Sequence, residues 1–222
     1  ASISWPTTCL NVAIADAMDQ IARWIQDGGT VMAAIQRALL ESAPVRFGGN
    51  GYAPEWVVDA EQRGLPHARN TPAALRALAG EGARAVFERT HVLSHQELHA
   101  RYEVRVEQYV KKVEIEADVL RGMVDTQVLP VATAEAAEAA RDVLSLRASG
   151  VESAAVSGRL AALVSGCDAL AATRLGLEEA IRGAPVQDET AKAAYLCDAV
   201  VPALLQVREA CDLLEEIVGD AR

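Results

Sequence analysis

Four groups of residues have types and spacings that could do chemistry. His91, His95 and His99 stand four apart, a spacing that can aim several imidazoles at one metal ion from a single helix face. Ser94 with Glu97 three residues later is a capping-box pattern, however, and it starts a helix at Ser94 and leaves His91 outside. The remaining pair, His95 and His99, has no cysteine nearby, and its neighbouring acid is engaged in the cap, so both read as solvated or partner-facing histidines. Gly48-Gly49-Asn50-Gly51 could cradle a phosphate, but it lacks the spacing and the lysine of a phosphate loop, and no strand precedes it. It reads as a structural turn that uses positive φ angles. Glu114, Glu116 and Asp118 lie beside Lys111 and Lys112, where Lys112–Glu116 and Lys111–Glu114 pairs on a solvated helix face are expected over a carboxylate dyad. Serine, histidine and aspartate are all present, but no nucleophile elbow assembles them. No catalytic, cofactor-binding or metal residues are therefore expected in this chain.

Cys9, Cys167, Cys197 and Cys211 form no C-x-x-C pair, and three of them fall in apolar helical stripes. They read as reduced, small hydrophobes of a cytoplasmic protein. The chain has 222 residues, half of them apolar but only 4% aromatic, and a net charge of −10. The low aromatic content favours packed helices over a sheet core. The acidic balance argues against nucleic acid or an anionic membrane as partner. No apolar run approaches the roughly 20 residues that span a bilayer. The start A-S-I-S-W-P lacks both signal-peptide character and an initiator methionine, as expected of a processed chain or a fragment.

The element that must position these groups is the stretch 94–129. Apolar residues recur there at Leu98, Tyr102, Val106, Tyr109, Val113, Ala117, Leu120, Val124 and Val128, one face of a helix that other segments must cover. Pro130 then kinks or breaks it before the pattern resumes through Leu146. Upstream, the reading is a helix capped by Thr7 or Thr8, with Leu10, Ile14, Ala17, Ile21 and Trp24 (or Ile25) inward and a stop at Gly28-Gly29. A second helix follows over residues 30–42, with Val31, Ile35, Ala38 and Leu39 inward, then short helices from Pro54, Asn70 and Glu81. Downstream, Val156, Leu160, Leu163, Cys167, Leu170, Arg174, Leu177 and Ile181 form a heptad seam. Its one polar member, Arg174, reads as an arginine whose stem packs while its head snorkels or pairs with an acid. The alternative is a register or assembly determinant. The last helix carries Leu196, Val200, Ala203, Val207, Ala210, Leu214 and Ile217. The expected fold is all-α, with several short N-terminal helices over 1–93 and a long-helix antiparallel bundle over 94–222.

Several blocks resemble the C-terminal region of type III glutamine synthetases. They are S-I-x-x-P at Ser2, Ile3 and Pro6; F-x-G-N-G-Y-x-x-E-W at Phe47, Gly49, Asn50, Gly51, Tyr52, Glu55 and Trp56; R-G-L-P at 63–66; and T-P-x-A-L at 71–75. The long helix adds E-L-x-x-R-Y-E-V, with Arg101, Tyr102 and Glu103, then Q-Y-V-K and T-Q-V-L-P. Trp5 stands where the family carries a glycine, and the chain ends Gly219-Asp220-Ala221-Arg222, short of a tryptophan- and proline-rich ending. The resemblance implies a parent enzyme that joins ammonia to glutamate using ATP and Mg or Mn, assembled as a homo-oligomeric dodecamer. It makes 1–93 a continuation of the parent's catalytic domain and the ten motif residues structural. ATP and metals would then be held by the parent and none by this stretch, whose partners are the rest of the parent and other subunits. The competing expectation is a stand-alone helical adaptor without enzymatic activity.

Overall fold

The computed structural model describes residues 3–218. Ser2 of the first motif and the ending Gly219-Asp220-Ala221-Arg222 lie outside the described residues. The described residues form helices and no strand: α1 (Ser4–Gln26), α2 (Val31–Glu41), α3 (Pro54–Gln62), α4 (Thr71–Ala79), α5 (Glu81–Arg89), α6 (His95–Met123), α7 (Leu129–Ala148), α8 (Ala154–Arg182), α9 (Glu189–Tyr195) and α10 (Val201–Glu215). The all-α expectation holds. The chain divides into two compact units, one ending at Arg105 and the other beginning at Val106.

In the first unit the capping residues act locally. Thr30 accepts from Ala33 N–H at the start of α2, and Asn70 accepts from Ala73 N–H at the start of α4. Gly28 and Gly64 end α1 and α3 at φ +96° and +74°, where glycine has no Cβ penalty. Thr7 and Thr8 do not cap α1. The helix begins at Ser4, and their hydroxyls donate back to the carbonyls of Ile3 and Ser4. The inward face of α1 also differs from the expected stripe. Trp5, Cys9 and Val12 turn in, with Phe87, Leu98, Leu78 and Val86 completing the cluster, and leave Leu10, Ile14 and Met18 exposed. Helix α2 likewise buries Ala34, while Val31, Ile35 and Leu39 face out.

In the second unit the helices are long and their seam is dry. Leu163, Leu170 and Leu177 are fully buried in α8, as the heptad required, against α7 and α10, which supply Ala139, Val143, Val207 and Leu214. Fully burying such a leucine is worth about 2 kcal/mol. By length and composition alone α8 could cross a membrane; its leucine seam is spent on helix packing. Val110 joins the expected stripe of α6, and Tyr109 is half-buried.

Pro130 neither breaks the chain's helical path nor stands alone. A π-helical turn, Val124–Val128, joins α6 to α7, and Leu129 N–H donates to Val124 five residues back. A second π turn, Leu196–Val200, joins α9 to α10, and Val201 N–H donates to Leu196. In both cases proline is the second residue after the turn, at Pro130 and Pro202. Proline lacks the N–H of a regular helix and its ring collides with the carbonyl four residues back. A wider turn removes that collision while keeping the helix continuous.

Candidate functional site

The glycine-rich loop is built around Arg63. Phe47 and Trp56 stack with ring centroids 4.4 Å apart, and the Arg63 guanidinium lies 5.5 Å from the Trp56 ring. Arg63 Nη1 donates to the carbonyls of Arg46 (2.9 Å) and Pro44 (3.3 Å), while Nε donates to Asp59 at 3.0 Å. One side chain thus ties the loop to α3. Asn50 closes the tip: its Oδ1 accepts from Tyr52 N–H at 3.0 Å, and its carbonyl accepts from Ala53 N–H. Among the described residues the glycines at positive φ are 28, 64 and 150, which corrects the expectation for 48–51. Gly49 is needed for a different reason, since a Cβ there would lie 2.6 Å from the Phe47 ring. The loop presents no amide cradle closed by a lysine. It presents Tyr52, 99% exposed, from a braced backbone, with Glu55 in the first turn of α3.

The first and fifth motif blocks meet at Trp5. Its ring stacks on Phe87 with centroids 5.8 Å apart and is 8% exposed. The guanidinium carbons of Arg101 and Arg105 stand 5.7 and 4.7 Å from its centroid. Tyr102 is buried beside them on α6, and Glu103 pairs with His99 at 3.3 Å. Burial is the leading effect on the Cys9 thiol and pushes its pKa up, against the opposing pull of Arg105.

The histidines separate as the capping box required. Ser94 N–H and Oγ each donate to Glu97 at 2.8 Å, and Glu97 N–H donates to Ser94 Oγ. The backbone hydrogen bond from Ser94 is the main reason the Glu97 carboxyl titrates below its ordinary value. His91 lies outside α6 with φ +55°, at the turn after α5, and the His95 and His99 rings are 6.2 Å apart. Among the described residues no three His, Cys, Asp or Glu side chains gather where they could hold a metal ion.

In the second unit, Arg174 forks onto Asp125 of the first π turn at 3.0 and 2.8 Å and also binds Glu178. Of the two readings of Arg174, pairing with an acid is the one seen. Lys112 reaches Glu116 at 3.7 Å as expected, but Lys111 pairs back to Glu107 at 2.6 Å, because Glu114 is taken by Lys192 of α9 at 2.6 Å. Tyr109 is pushed up to about 12, first by burial and then by its hydrogen bond with Cys197. All four cysteines are free thiols, and Cys211 is buried. An open apolar groove of about 510 Å³ lies between α8 and α10, lined by Gly166, Ala169, Leu213 and Ile217 among others. Sequence reasoning missed Arg63 and Arg105 as hubs. The available signal was Arg63 one helical turn after Asp59 and two after the motif residue Trp56, and Arg105 one turn after the motif residue Tyr102.

None of these groups forms a nucleophile–base pair or a cofactor cradle; what they share is bracing of loops and helix ends. Comparison with known proteins places the chain in a family. The chain is 28% identical to the type-3 glutamine synthetase of Dictyostelium discoideum over 98% of its own length and 32% of that protein's. It is 33% identical to a glutamine synthetase of Bacteroides fragilis over 55% of this chain and 18% of that one, and 32% identical to one of Butyrivibrio fibrisolvens over 42% and 13%. The chain therefore spans a third or less of the relatives it matches. Residues 30–147 match the glutamine synthetase C-terminal domain, and the chain belongs to that family.

Proposed function

We propose that this chain is the helical C-terminal domain of a type III glutamine synthetase and that it supports the catalytic part and the assembly of subunits. The full-length parent would be a cytoplasmic ligase of nitrogen metabolism that joins ammonia to glutamate with ATP and Mg or Mn. Nucleotide and metals would be held outside this stretch. The observation that carries the reading is the match to a type-3 enzyme along nearly the whole chain, against only a third of that enzyme's length. A second observation fits it. Leu10, Ile14 and Met18 of α1 and Val31, Ile35 and Leu39 of α2 are large apolar side chains left exposed, as an assembly surface would be. The adaptor alternative would use the same surface, and the family membership favours the synthetase.

Deleting this stretch from the full-length protein is expected to abolish glutamine formation and the native mass read by light scattering. A truncated protein that keeps both its mass and its activity would overturn the reading.

A further inference from the structure

Helix α8 carries two seams. The inner one, Leu163, Leu170 and Leu177, is fully buried, with α7 and α10 packed on the helix. The outer one steps by three and four in the same way through Gly158, Ala161, Ser165, Asp168, Ala172 and Leu175, and every member of it is exposed. The helical repeat puts the two stripes on opposite sides. Residues 160–173 contain one charge, Asp168, yet only 17% of the most apolar 18-residue stretch of α8 is buried. A helix that is apolar all round is ordinarily covered all round, so α8 is built for more cover than α7 and α10 give it. The open side is also shaped. A groove of about 550 Å³ between α7 and α8 passes Val164, the groove of about 510 Å³ between α8 and α10 passes Ala169, and Ser165 lines both. Val164 and Leu213, one in each groove, are 46% and 58% exposed. Three charges line the same grooves: Asp168 on α8, Glu209 on the α10 side and Arg147 on the α7 side. None of the three forms an ion pair or a side-chain hydrogen bond among the described residues.

We infer that the outer face of α8 receives an amphipathic helix from another protein surface, one that lays an aliphatic ridge over Ala161, Ser165 and Ala172 and brings a lysine or arginine to Asp168. The small residues of the outer seam let two helix backbones approach closely, and the flanking grooves take the incoming ridge. A single polar member of a heptad seam fixes register, and an acid in that place calls for a base opposite it. Glu209 repeats that demand on the α10 side, while Arg147 would meet an acid at the α7 edge. A second copy of this chain fits less well, because its α8 offers the same Asp168 and no base within residues 160–173. A bilayer also fits less well. Asp168 and the ion pairs that α8 makes through Arg159 to Glu135 and Arg174 to Asp125 would be costly in hydrocarbon. All the residues of this seat belong to the second unit, so it does not depend on the assembly surface of α1 and α2.

The test uses two fluorescein-labelled helical peptides of about three heptads, with leucine and alanine on one face and glutamine on the other. They differ in one residue at the centre of the apolar face, lysine in the first and glutamate in the second. Fluorescence anisotropy with the 222-residue chain is expected to show the lysine peptide binding with a Kd on the order of 100 micromolar. The glutamate peptide should bind about fivefold more weakly. Asp168→Lys should reverse that preference, which a general attraction of bases to a chain of net charge −10 cannot do, since the variant stays strongly acidic. Ala169→Trp fills the groove beside α10 and should weaken the lysine peptide about tenfold, with the helical content unchanged by circular dichroism. The inference is overturned if neither peptide binds, if both bind equally, or if Asp168→Lys leaves the preference as it was. Tighter association with phosphatidylcholine vesicles than with the lysine peptide would overturn it in favour of lipid. A dimer of the chain in sedimentation that Ala169→Trp dissolves would overturn it in favour of a second copy.

Discussion

Arg174 shows how one charged residue fits an apolar seam. Its seam neighbours four residues before and three after, Leu170 and Leu177, are fully buried, while its own side chain keeps about a fifth of its surface in contact with water. The stem packs and the head reaches Asp125 on the π turn, so the pair ties α8 to the point where the long helix is least regular. The Arg174 hydrogen bond is the main reason the Asp125 carboxyl titrates below its ordinary value. A carboxyl whose folded pKa is depressed adds stability above its unfolded pKa and loses it as pH falls through the folded one. Arg174→Met is therefore expected to cost about 1 kcal/mol or less at neutral pH, a figure kept low because Asp125 is 41% exposed and screened by water. The difference should shrink below pH 4 and in 1 M salt. Urea denaturation of both proteins between pH 2 and 7 measures it, and a penalty independent of pH would show that only the packing of the stem had been lost.

At the scale of elements, glycines that look alike in sequence stand in different surroundings. A Cβ at Gly166 would lie 2.6 Å from Leu214 Cδ1, whereas one at Gly176, ten residues along the same helix, meets nothing within 4 Å. Gly176→Ala is expected to stabilise by about 0.5–1 kcal/mol, the ordinary gain from removing a helical glycine. Gly166→Ala makes the same gain but overpacks a leucine that is 1% exposed, at about 1–3 kcal/mol, so it should be net destabilising. Chemical denaturation of the two variants decides, and a stabilised Gly166→Ala would mean α8 and α10 can part freely. What was legible in the sequence at this scale follows the same logic. The Ser94–Glu97 cap and the Leu163–Leu170–Leu177 seam were readable because their cause is local spacing. The inward face of α1 was not. Leu10 and Ile14 on one side and Trp5, Cys9 and Val12 on the other are both apolar, and a partner 75 residues or more away in sequence, Phe87, decides between them. The π turns were half-legible: Pro130 announced a missing N–H, but that signal does not distinguish a break from a widened turn.

For the whole molecule, the two units differ in how much core they own. Among the described residues eighteen buried hydrophobic side chains lie beyond Arg105 and six before it, and the second unit also carries 20 of the 31 acids. The loop braced by Arg63 was invisible in the sequence, because it depends on aromatics from another block, Phe47 and Trp56. It falls in the unit with the thinner core, the one that also leaves the apolar faces of α1 and α2 uncovered. A stretch with few buried contacts opens at lower free energy than a dry bundle. All three tryptophans, Trp5, Trp24 and Trp56, lie in that first unit, so their fluorescence reports on it alone, while the helical signal in the far ultraviolet averages over both. In urea, the fluorescence transition is expected to precede the helical one, and the chain should fail the coincidence test of two-state unfolding. Covering the apolar faces of the first unit with the partner they fit would bring the two curves together by mass action, since that partner binds the folded form. Coincident curves for the isolated chain would instead mean that the first unit draws its stability from the second and unfolds with it as one.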